Sequence, residues 1–230
     1  MTAFSYRTAL IVGAGPGISA SLARKLSASG VQVALAARHV EKLAPLAVET
    51  GASIFSVDAS EQDGVARLFD EVEARLGEPD IVIYNASMAV RGPLAELDPA
   101  TVAQSLSVNA FGAFLVVQQA ARRMLPRERG AILLTGATAG IKGFARSAPF
   151  AMGKFALRGL AQSAARELGP KGIHVAHFVI DGGVRSAKRP DASDNTLDPD
   201  AIAQSYLDVL RQPRNAWTME VDLRPWAETF

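Results

Sequence analysis

Short apolar runs alternate along the chain with longer segments in which apolar residues recur at helical spacing. The apolar runs are rich in Val, Ile, Leu and Ala and show little alternation with polar residues, which is typical of strands that are buried on both faces. We predict strands near residues 8–13, 32–37, 52–57, 81–84, 131–135, 174–180 and 217–223. We predict helices near residues 18–29, 40–50, 61–76, 99–125, 150–168 and 198–211. This order predicts an α/β fold with a doubly wound parallel sheet between two helical layers.

Length and loop composition set the expected organisation. The chain has 230 residues and is 49% hydrophobic, so it can bury one continuous core without needing a second domain. We therefore predict a single domain over residues 1–230. Residues 181–199 are rich in Arg, Lys, Asp, Pro and Ser and follow no regular period, which predicts a mobile surface loop. A substrate lid and an inert linker are both open interpretations of this loop.

Charge and composition narrow the classes of partner. The chain has 24 Lys and Arg against 23 Asp and Glu, so we expect small-molecule partners and copies of itself rather than nucleic acid or a membrane surface. The uncharged stretch 99–121 contains Thr, Gln, Ser and Asn and is interpreted as a buried helix. The absence of cysteine, together with three histidines that form no HxxxH motif or carboxylate cluster, predicts no metal site. No secretory leader is visible, so we expect a cytoplasmic protein.

A glycine-rich segment connects the first predicted strand to the first predicted helix. It contains Gly13, Gly15 and Gly17, and Ile18 opens the helix. Glycines at such a junction permit a tight turn and let a pyrophosphate approach the backbone amides at the helix N-terminus. The segment therefore predicts a dinucleotide site on a Rossmann-type sheet. An ordinary strand-to-helix turn is the alternative.

Arg38 follows the second predicted strand, where NAD-selective folds place an acidic residue. A guanidinium can pair with the 2′-phosphate of NADP, whereas a carboxylate would repel it. Arg38 therefore predicts a preference for NADP(H) over NAD(H), with a solvated arginine as the other interpretation. His39 and Lys42 add positive charge nearby in the sequence.

Taken in order, these motifs resemble the short-chain dehydrogenase/reductase family over nearly the whole chain. Residues 12–19 read VGAGPGIS and are similar to the family's TGxxxGIG loop. Asp58 and Ala59 resemble its Asp-Val pair, which implies that Asp58 contacts the adenine. Residues 84–87 read YNAS and are similar to its NNAG segment, which implies that Asn85 and Ala86 line the cofactor cleft.

The same resemblance points to four further positions. Asn109 matches the family's catalytic asparagine, which holds a water in the proton relay; a satisfied buried amide is the alternative. Residues 150–154 read FAMGK and resemble the YxxxK helix, which implies that Lys154 takes part in catalysis and binds the nicotinamide ribose. A surface lysine is the alternative. Val184, after the last motif strand, is implied to meet the nicotinamide carboxamide, and Asp181 stands at the usual Pro-Gly turn.

The chain departs from the family at the residues that perform the chemistry. Phe150 occupies the position of the catalytic tyrosine, and residues 134–140, LTGATAG, place Gly136 and Ala137 at the two serine positions. Hydride transfer to a carbonyl builds negative charge on oxygen, which a phenol can protonate and a hydroxyl can stabilise. Phe150 and Ala137 can do neither. By sequence position, the candidates to replace them as proton donors are Thr138, Ser147, Tyr84, Ser87 and Asp181.

Three functions follow from this pattern. The first is an NADP(H)-dependent oxidoreductase that acts on a small carbonyl or hydroxyl substrate through an atypical active site. The second is an NADP(H)-binding pseudoenzyme or sensor, and the third is an isomerase, dehydratase or lyase on the same fold.

The resemblance also implies a homodimer or homotetramer built on the helices that carry Asn109 and Lys154. An apolar face around Phe111, Phe114, Phe155 and Leu157 permits such an assembly, and core packing explains these residues equally well.

Overall fold

One seven-stranded sheet forms the centre of the molecule. The structure is a computed structural model and describes residues 5–187, 189–190 and 194–227. All neighbouring strands pair in parallel, in the order β3-β2-β1-β4-β5-β6-β7. The strands are β1 Thr8–Val12, β2 Gln32–Ala37, β3 Ser53–Ser56, β4 Ile81–Tyr84, β5 Gly130–Thr135, β6 Ile173–Ile180 and β7 Glu220–Leu223. The predicted α/β class and doubly wound parallel sheet are confirmed.

Helices cover both faces of this sheet. They are α1 Ile18–Ala28, α2 Ala44–Thr50, α3 Gln62–Leu76, α4 Pro99–Leu106, α5 Gly112–Met124, α6 Ala148–Leu168 and α7 Pro199–Leu210. The helix predicted near residues 40–50 begins as a 3₁₀ turn, Val40–Leu43, and becomes α-helical only at Ala44. Pro45 lies at the start of α2, where its missing N–H costs no helical hydrogen bond.

The long helix predicted over residues 99–125 is interrupted. A π-helical turn, Ser107–Phe111, separates α4 from α5. Such wider turns occur mostly as single insertions within α-helices and frequently at functional sites. The turn lies over the carboxyl end of β4, because the Tyr84 hydroxyl donates a hydrogen bond to the backbone carbonyl of Val108.

Successive residues of a strand pack into two separate hydrophobic cores, one on each face of the sheet. Leu10 and Val12 of β1 face the core beneath α3, α5 and α6, whereas Ala9 and Ile11 face the core beneath α1 and α7. Both faces of each central strand are therefore buried, which explains why the strand sequences lack polar alternation. Each fully buried Leu or Ile contributes about 1.5–3 kcal/mol relative to an exposed one.

The segment Pro99–Arg127 meets the length and hydropathy criteria for a membrane span within the described chain. In the fold, 44% of its most apolar stretch is buried. Val116 and Ala120 of this segment lie in the core beside α3 and α6. This placement agrees with the interpretation of the stretch as a helix packed within the protein.

The segment predicted as a mobile loop, residues 181–199, has some regular structure. Val184 forms a parallel bridge with Leu197, and Ser186 forms an antiparallel bridge with Arg189. Residues 188 and 191–193 of the predicted loop lie outside the described residues. The mobility of the loop and its action as a substrate lid stay predictions.

Candidate active site

Two adjoining cavities open at the carboxyl edge of the sheet, where the strand order reverses because β1 pairs with both β2 and β4. Open parallel sheets bind ligands at such a reversal point. The first cavity has a volume of about 330 Å³ and extends from the glycine loop to Arg38. The second has a volume of about 570 Å³ and lies between the ends of β5 and β6 and the start of α6. Asn85 and Ser87 line both cavities, so the two form one cleft.

The structure brings most of the site residues expected from the sequence to this cleft. The first cavity is lined by Gly13, Gly15, Arg38, Asp58, Ala59, Asn85 and Ala86, among others. The second is lined by Ile18, Ala137, Thr138, Ser147, Phe150, Lys154 and Val184, among others. Gly17 and Asn109 line neither cavity.

The glycine loop is shaped for close approach to the cleft. Gly13 has a φ of +85°, and a Cβ there would lie 2.2 Å from the backbone nitrogen of Ala86, so only glycine fits. A Cβ at Gly15 or Gly17 would meet no atom of a non-neighbouring residue within 4 Å. Helix α1 starts after Gly17 with no side-chain cap, so its first amides are available to an anionic group.

Ser19 fixes the glycine loop to the neighbouring strand. Its hydroxyl donates to the carbonyl oxygen of Gly13 at 3.3 Å and accepts a hydrogen bond from the Asn85 side-chain amide at 2.7 Å. Asn85 also donates its backbone N–H to Val12 at 2.8 Å. Ser19, which replaces the last glycine of the family's loop motif, therefore links the glycine loop to Asn85 at the end of β4.

The first cavity is lined by one acidic residue, Asp58, and by the basic Arg38. Asp58 accepts hydrogen bonds from the backbone N–H and the hydroxyl of Ser60, at 3.0 and 2.7 Å. These bonds, assisted by the positive charge of Arg38, lower the pKa of Asp58. Arg38, His39 and Lys42 are exposed and line the same cavity.

Lys154 is the buried cation of the second cavity. It is only 2% exposed, and its Nζ donates to the backbone carbonyl of Thr135 at 2.9 Å. Nζ also lies 5.8 Å from the centre of the Phe150 ring. Burial lowers the pKa of Lys154 to about 8. The interpretation of Lys154 as a surface lysine is therefore wrong.

The candidate proton donors separate into two groups. Thr138, Ser147 and Ser87 line the second cavity. Tyr84 and Asp181 do not line the cavity, which disfavours them as replacements for the missing tyrosine. Tyr84 is buried against Val108, which raises the pKa of its hydroxyl, and Asp181 is buried in a 2.9 Å salt bridge with Arg224.

Asn109 lies in the π-helical turn and is fully buried. Its amide nitrogen donates to the carbonyls of Met88 and Ser105, at 2.7 and 2.9 Å. Its oxygen accepts from the Ser87 hydroxyl and the Met88 N–H, at 3.1 and 3.2 Å. The side chain is therefore a satisfied amide that orders the segment after β4, and its part in a water relay stays a prediction.

A buried histidine lies behind the second cavity, and its contacts were not predicted from the sequence. His177 Nδ1 lies 3.0 Å from Glu220, which also accepts two hydrogen bonds from Arg158, at 2.8 and 2.6 Å. His177 Nε2 is buried, faces Gly136 and has no hydrogen-bond partner among the described residues. Burial lowers the pKa of His177 more than Glu220 raises it, which favours a neutral ring. The available signal was a polar residue within an apolar strand.

The contact between His177 and β5 explains one departure from the family pattern. A Cβ at Gly136 would lie 2.2 Å from His177 Nε2 and 3.0 Å from the carbonyl oxygen of Phe178. The histidine ring thus occupies the space that a serine side chain at residue 136 would need. Among the described residues, no group of three or more His, Asp or Glu side chains is arranged to hold a metal ion.

The cleft, the glycine loop and the buried lysine are those of a Rossmann-type nucleotide-binding fold. The family model for short chain dehydrogenase matches residues 7–195. L-2,3-butanediol dehydrogenase of Corynebacterium glutamicum is 32% identical over 211 residues, which cover 87% of this chain and 81% of that protein. The chain therefore belongs to the short-chain dehydrogenase family, and its relatives are oxidoreductases.

Solved structures of this family share the whole fold. A short-chain dehydrogenase from Rhodopseudomonas palustris is 36% identical, with a TM-score of 0.84 over 96% of this chain and 99% of that one. A metagenomic short-chain oxidoreductase, solved in complex with NADP, is 30% identical, with a TM-score of 0.87. That comparison covers 99% of this chain and 100% of the other.

Proposed function

We propose that the protein is an oxidoreductase that uses NADP(H) to interconvert a small carbonyl compound and its alcohol through an atypical active site. The observation that carries the proposal is a single cleft with Arg38 at one end and the buried Lys154 at the other. A similar short-chain oxidoreductase binds NADP.

The residues of the cleft fit this cofactor. Open space beside Gly15 and Gly17 and the uncapped start of α1 suit a pyrophosphate, and Arg38 suits a 2′-phosphate. Asp58 would hold the adenine and Lys154 the nicotinamide ribose, as the family resemblance implies. When bound, NADPH supplies the hydride for reduction.

Lys154 is the residue that we propose as the proton donor. One of its three N–H bonds is directed to Thr135, which leaves two for groups in the second cavity. As a substrate carbonyl carbon gains hydride, its oxygen gains an electron pair and takes a proton from Nζ, which becomes neutral. Thr138 and Ser147 line the same cavity, and their hydroxyls are candidates to stabilise the developing oxyanion.

Cofactor preference gives the first test of this function. In a fluorescence titration, Arg38→Ala is expected to weaken NADPH binding about 10- to 100-fold and to leave NADH binding nearly unchanged. The reason is that one hydrogen bond to a charged group contributes about 1.5–3 kcal/mol. Arg166→Ala, at an exposed position on α6 outside both cavities, is the matched control.

The outcomes of the titration separate the alternatives. Failure of the wild-type protein to bind either nucleotide would overturn the oxidoreductase function. Equal losses for NADPH and NADH would remove Arg38 from the 2′-phosphate site. Tight NADPH binding without hydride transfer to any carbonyl would favour a cofactor-binding sensor, a function consistent with Ala137 and Phe150 both lining the second cavity.

We also propose that the protein is a cytoplasmic homodimer or homotetramer, with a small-molecule substrate and no nucleic-acid or membrane partner. The apolar face on the π-helical turn, α5 and α6 supports the assembly, since Phe111, Phe114, Met152 and Phe155 are 42–52% exposed. Leu157 does not belong to this face, because it is fully buried in the core.

A charge placed on this face is expected to dissociate the assembly. Phe155→Glu should shift the mass measured by light scattering towards that of the 24.3 kDa chain, because burying an unpaired carboxylate in an apolar interface is unfavourable. Val48→Glu is the control, since Val48 is 88% exposed on α2. A wild-type monomer, or a Phe155→Glu variant with unchanged mass, would contradict the proposed interface.

A further inference from the structure

Three cationic residues line the second cavity. Arg91, Lys154 and Arg189 contribute to its wall, and none of the described residues that line it is Asp or Glu. Phe144 and Phe150 supply apolar surface between them. Arg91 and Arg189 are exposed at this wall and Lys154 is buried in it. Positive charges along one cavity favour a ligand that brings negative charge.

Arg189 is positioned over the turn that follows β6. Its backbone exchanges two hydrogen bonds with Ser186, each of 3.0 Å. Its guanidinium packs against Gly183 so closely that a Cβ there would lie 2.1 Å from Nη1. The neighbouring Arg185 forms a 2.8 Å salt bridge with Asp198, whereas Arg189 forms no ion pair with any described residue.

Arg91 reaches the same cavity from the loop after β4. The next residue, Gly92, donates its N–H to the carbonyl of Arg146 at 2.9 Å, which ties this loop to the segment that leads into α6. Within the described part of the chain, Arg91 also lacks a carboxylate partner. Two arginines from separate loops therefore line one cavity, and neither forms an ion pair with a carboxylate of the described residues.

We propose that the substrate carries an acidic group, a carboxylate or a phosphate, that Arg91 and Arg189 bind while its carbonyl lies near Lys154. This inference rests on the proposed function and adds the chemical class of its substrate. Guanidinium groups suit both acids, because they offer paired N–H donors with the geometry of carboxylate and phosphate oxygens.

The phosphates of the cofactor are a second source of negative charge in the cleft. The glycine loop, the start of α1 and Arg38 already offer donors for those phosphates, and Arg91 lies in the second cavity only. Measuring NADPH affinity in each arginine variant separates the two sources, because a residue that binds the cofactor must change that affinity.

The experiment compares acids with neutral analogues that keep the same carbonyl. The probes are 2-oxopentanoate, 3-oxopentanoate and 4-oxopentanoate, each beside its methyl ester, and dihydroxyacetone phosphate beside dihydroxyacetone. Each probe is tested as a substrate with NADPH and by calorimetric titration into the protein–NADPH complex. The proteins are wild type, Arg91→Ala, Arg189→Ala and the exposed control Arg122→Ala, which lies on α5 outside the cavity.

We expect the wild type to bind at least one acid about tenfold or more tightly than its neutral analogue. Arg91→Ala and Arg189→Ala should each weaken acid binding about 10- to 100-fold, chiefly through KM, with the neutral analogue little affected. NADPH affinity should stay within about twofold of wild type in both variants. The Arg122→Ala control should keep the preference for the acid.

Three results would overturn the inference. The first is equal binding of acids and neutral analogues by the wild type, and the second is an acid preference that survives in both variants. The third is a loss of NADPH affinity in Arg189→Ala, which would assign that arginine to the cofactor. The calorimetric arm needs no turnover, so acid binding without reduction would uphold the acidic site while the proposed oxidoreductase function fails.

Discussion

Replacing Lys154 with methionine is expected to lower kcat for carbonyl reduction about 10²- to 10⁴-fold, the usual loss when a general acid is removed. Methionine keeps most of the side-chain length and apolar bulk at this buried position while removing the proton and the charge. Rates are measured at saturating NADPH, so that any part of Lys154 in cofactor binding appears in the Kd rather than in kcat. Lys171→Met, at an exposed site after α6, is the control.

The pH dependence gives this variant a second readout. Only protonated Lys154 can donate, and burial lowers its pKa to about 8, so wild-type reduction should slow as the pH rises through about 8. Lys154→Met should lack this step. A variant that keeps both the wild-type kcat and the alkaline step would assign the proton to another group, with the Thr138 and Ser147 hydroxyls as the next candidates in the cavity.

The same pKa shift predicts the sign of an effect on stability. The folded state binds the Lys154 proton less tightly than the unfolded state does, because burial disfavours the charge. Lys154 therefore destabilises the fold most below about pH 8, and this destabilisation fades as the pH rises towards the unfolded pKa. Removing the charge in Lys154→Met is accordingly not itself expected to destabilise the fold at neutral pH.

Gly136→Ser is expected to destabilise the protein by about 1–3 kcal/mol, the usual range for overpacking a core. The added Cβ would lie 2.2 Å from His177 Nε2, and the ring has little freedom because its Nδ1 is held by Glu220. Urea denaturation measures the free energy of unfolding. Ala137→Ser is the matched control, since residue 137 lines the open second cavity.

A second substitution tests whether His177 causes this effect. His177→Ala opens space beside residue 136, so the double variant should be more stable than the sum of the two single losses predicts. Additive losses would show that the two side chains do not compete for space. A Gly136→Ser protein as stable as Ala137→Ser would contradict the steric explanation altogether.

The fold could be predicted because its signals are local. Apolar runs without alternation indicated β1 to β6, and their order with the intervening helices indicated a parallel sheet. The π-helical turn Ser107–Phe111 was missed because apolar and polar residues continue through it at an ordinary helical period. Its cause is tertiary, since Val108 and Asn109 are bonded to residues in and after β4.

The site was predictable where a motif fixes the backbone and less so where side-chain direction decides. Gly13 and Lys154 line the cleft as the motifs indicated. Tyr84 and Asp181 lie at strand ends beside it, yet each points to a partner distant in sequence. Arg91 and Arg189 were missed because they lie in loops without a period, and only the folded chain shows that they line one cavity.

The support of His177 comes from the last part of the chain. Glu220 belongs to β7, beyond residues 7–195 where the family model matches, yet its carboxylate holds both His177 and Arg158. The back wall of the active site is thus built partly from a segment that the family pattern does not describe. A serine at residue 136 consequently requires changes in three neighbouring strands, because residue 136 follows β5, His177 belongs to β6 and Glu220 belongs to β7.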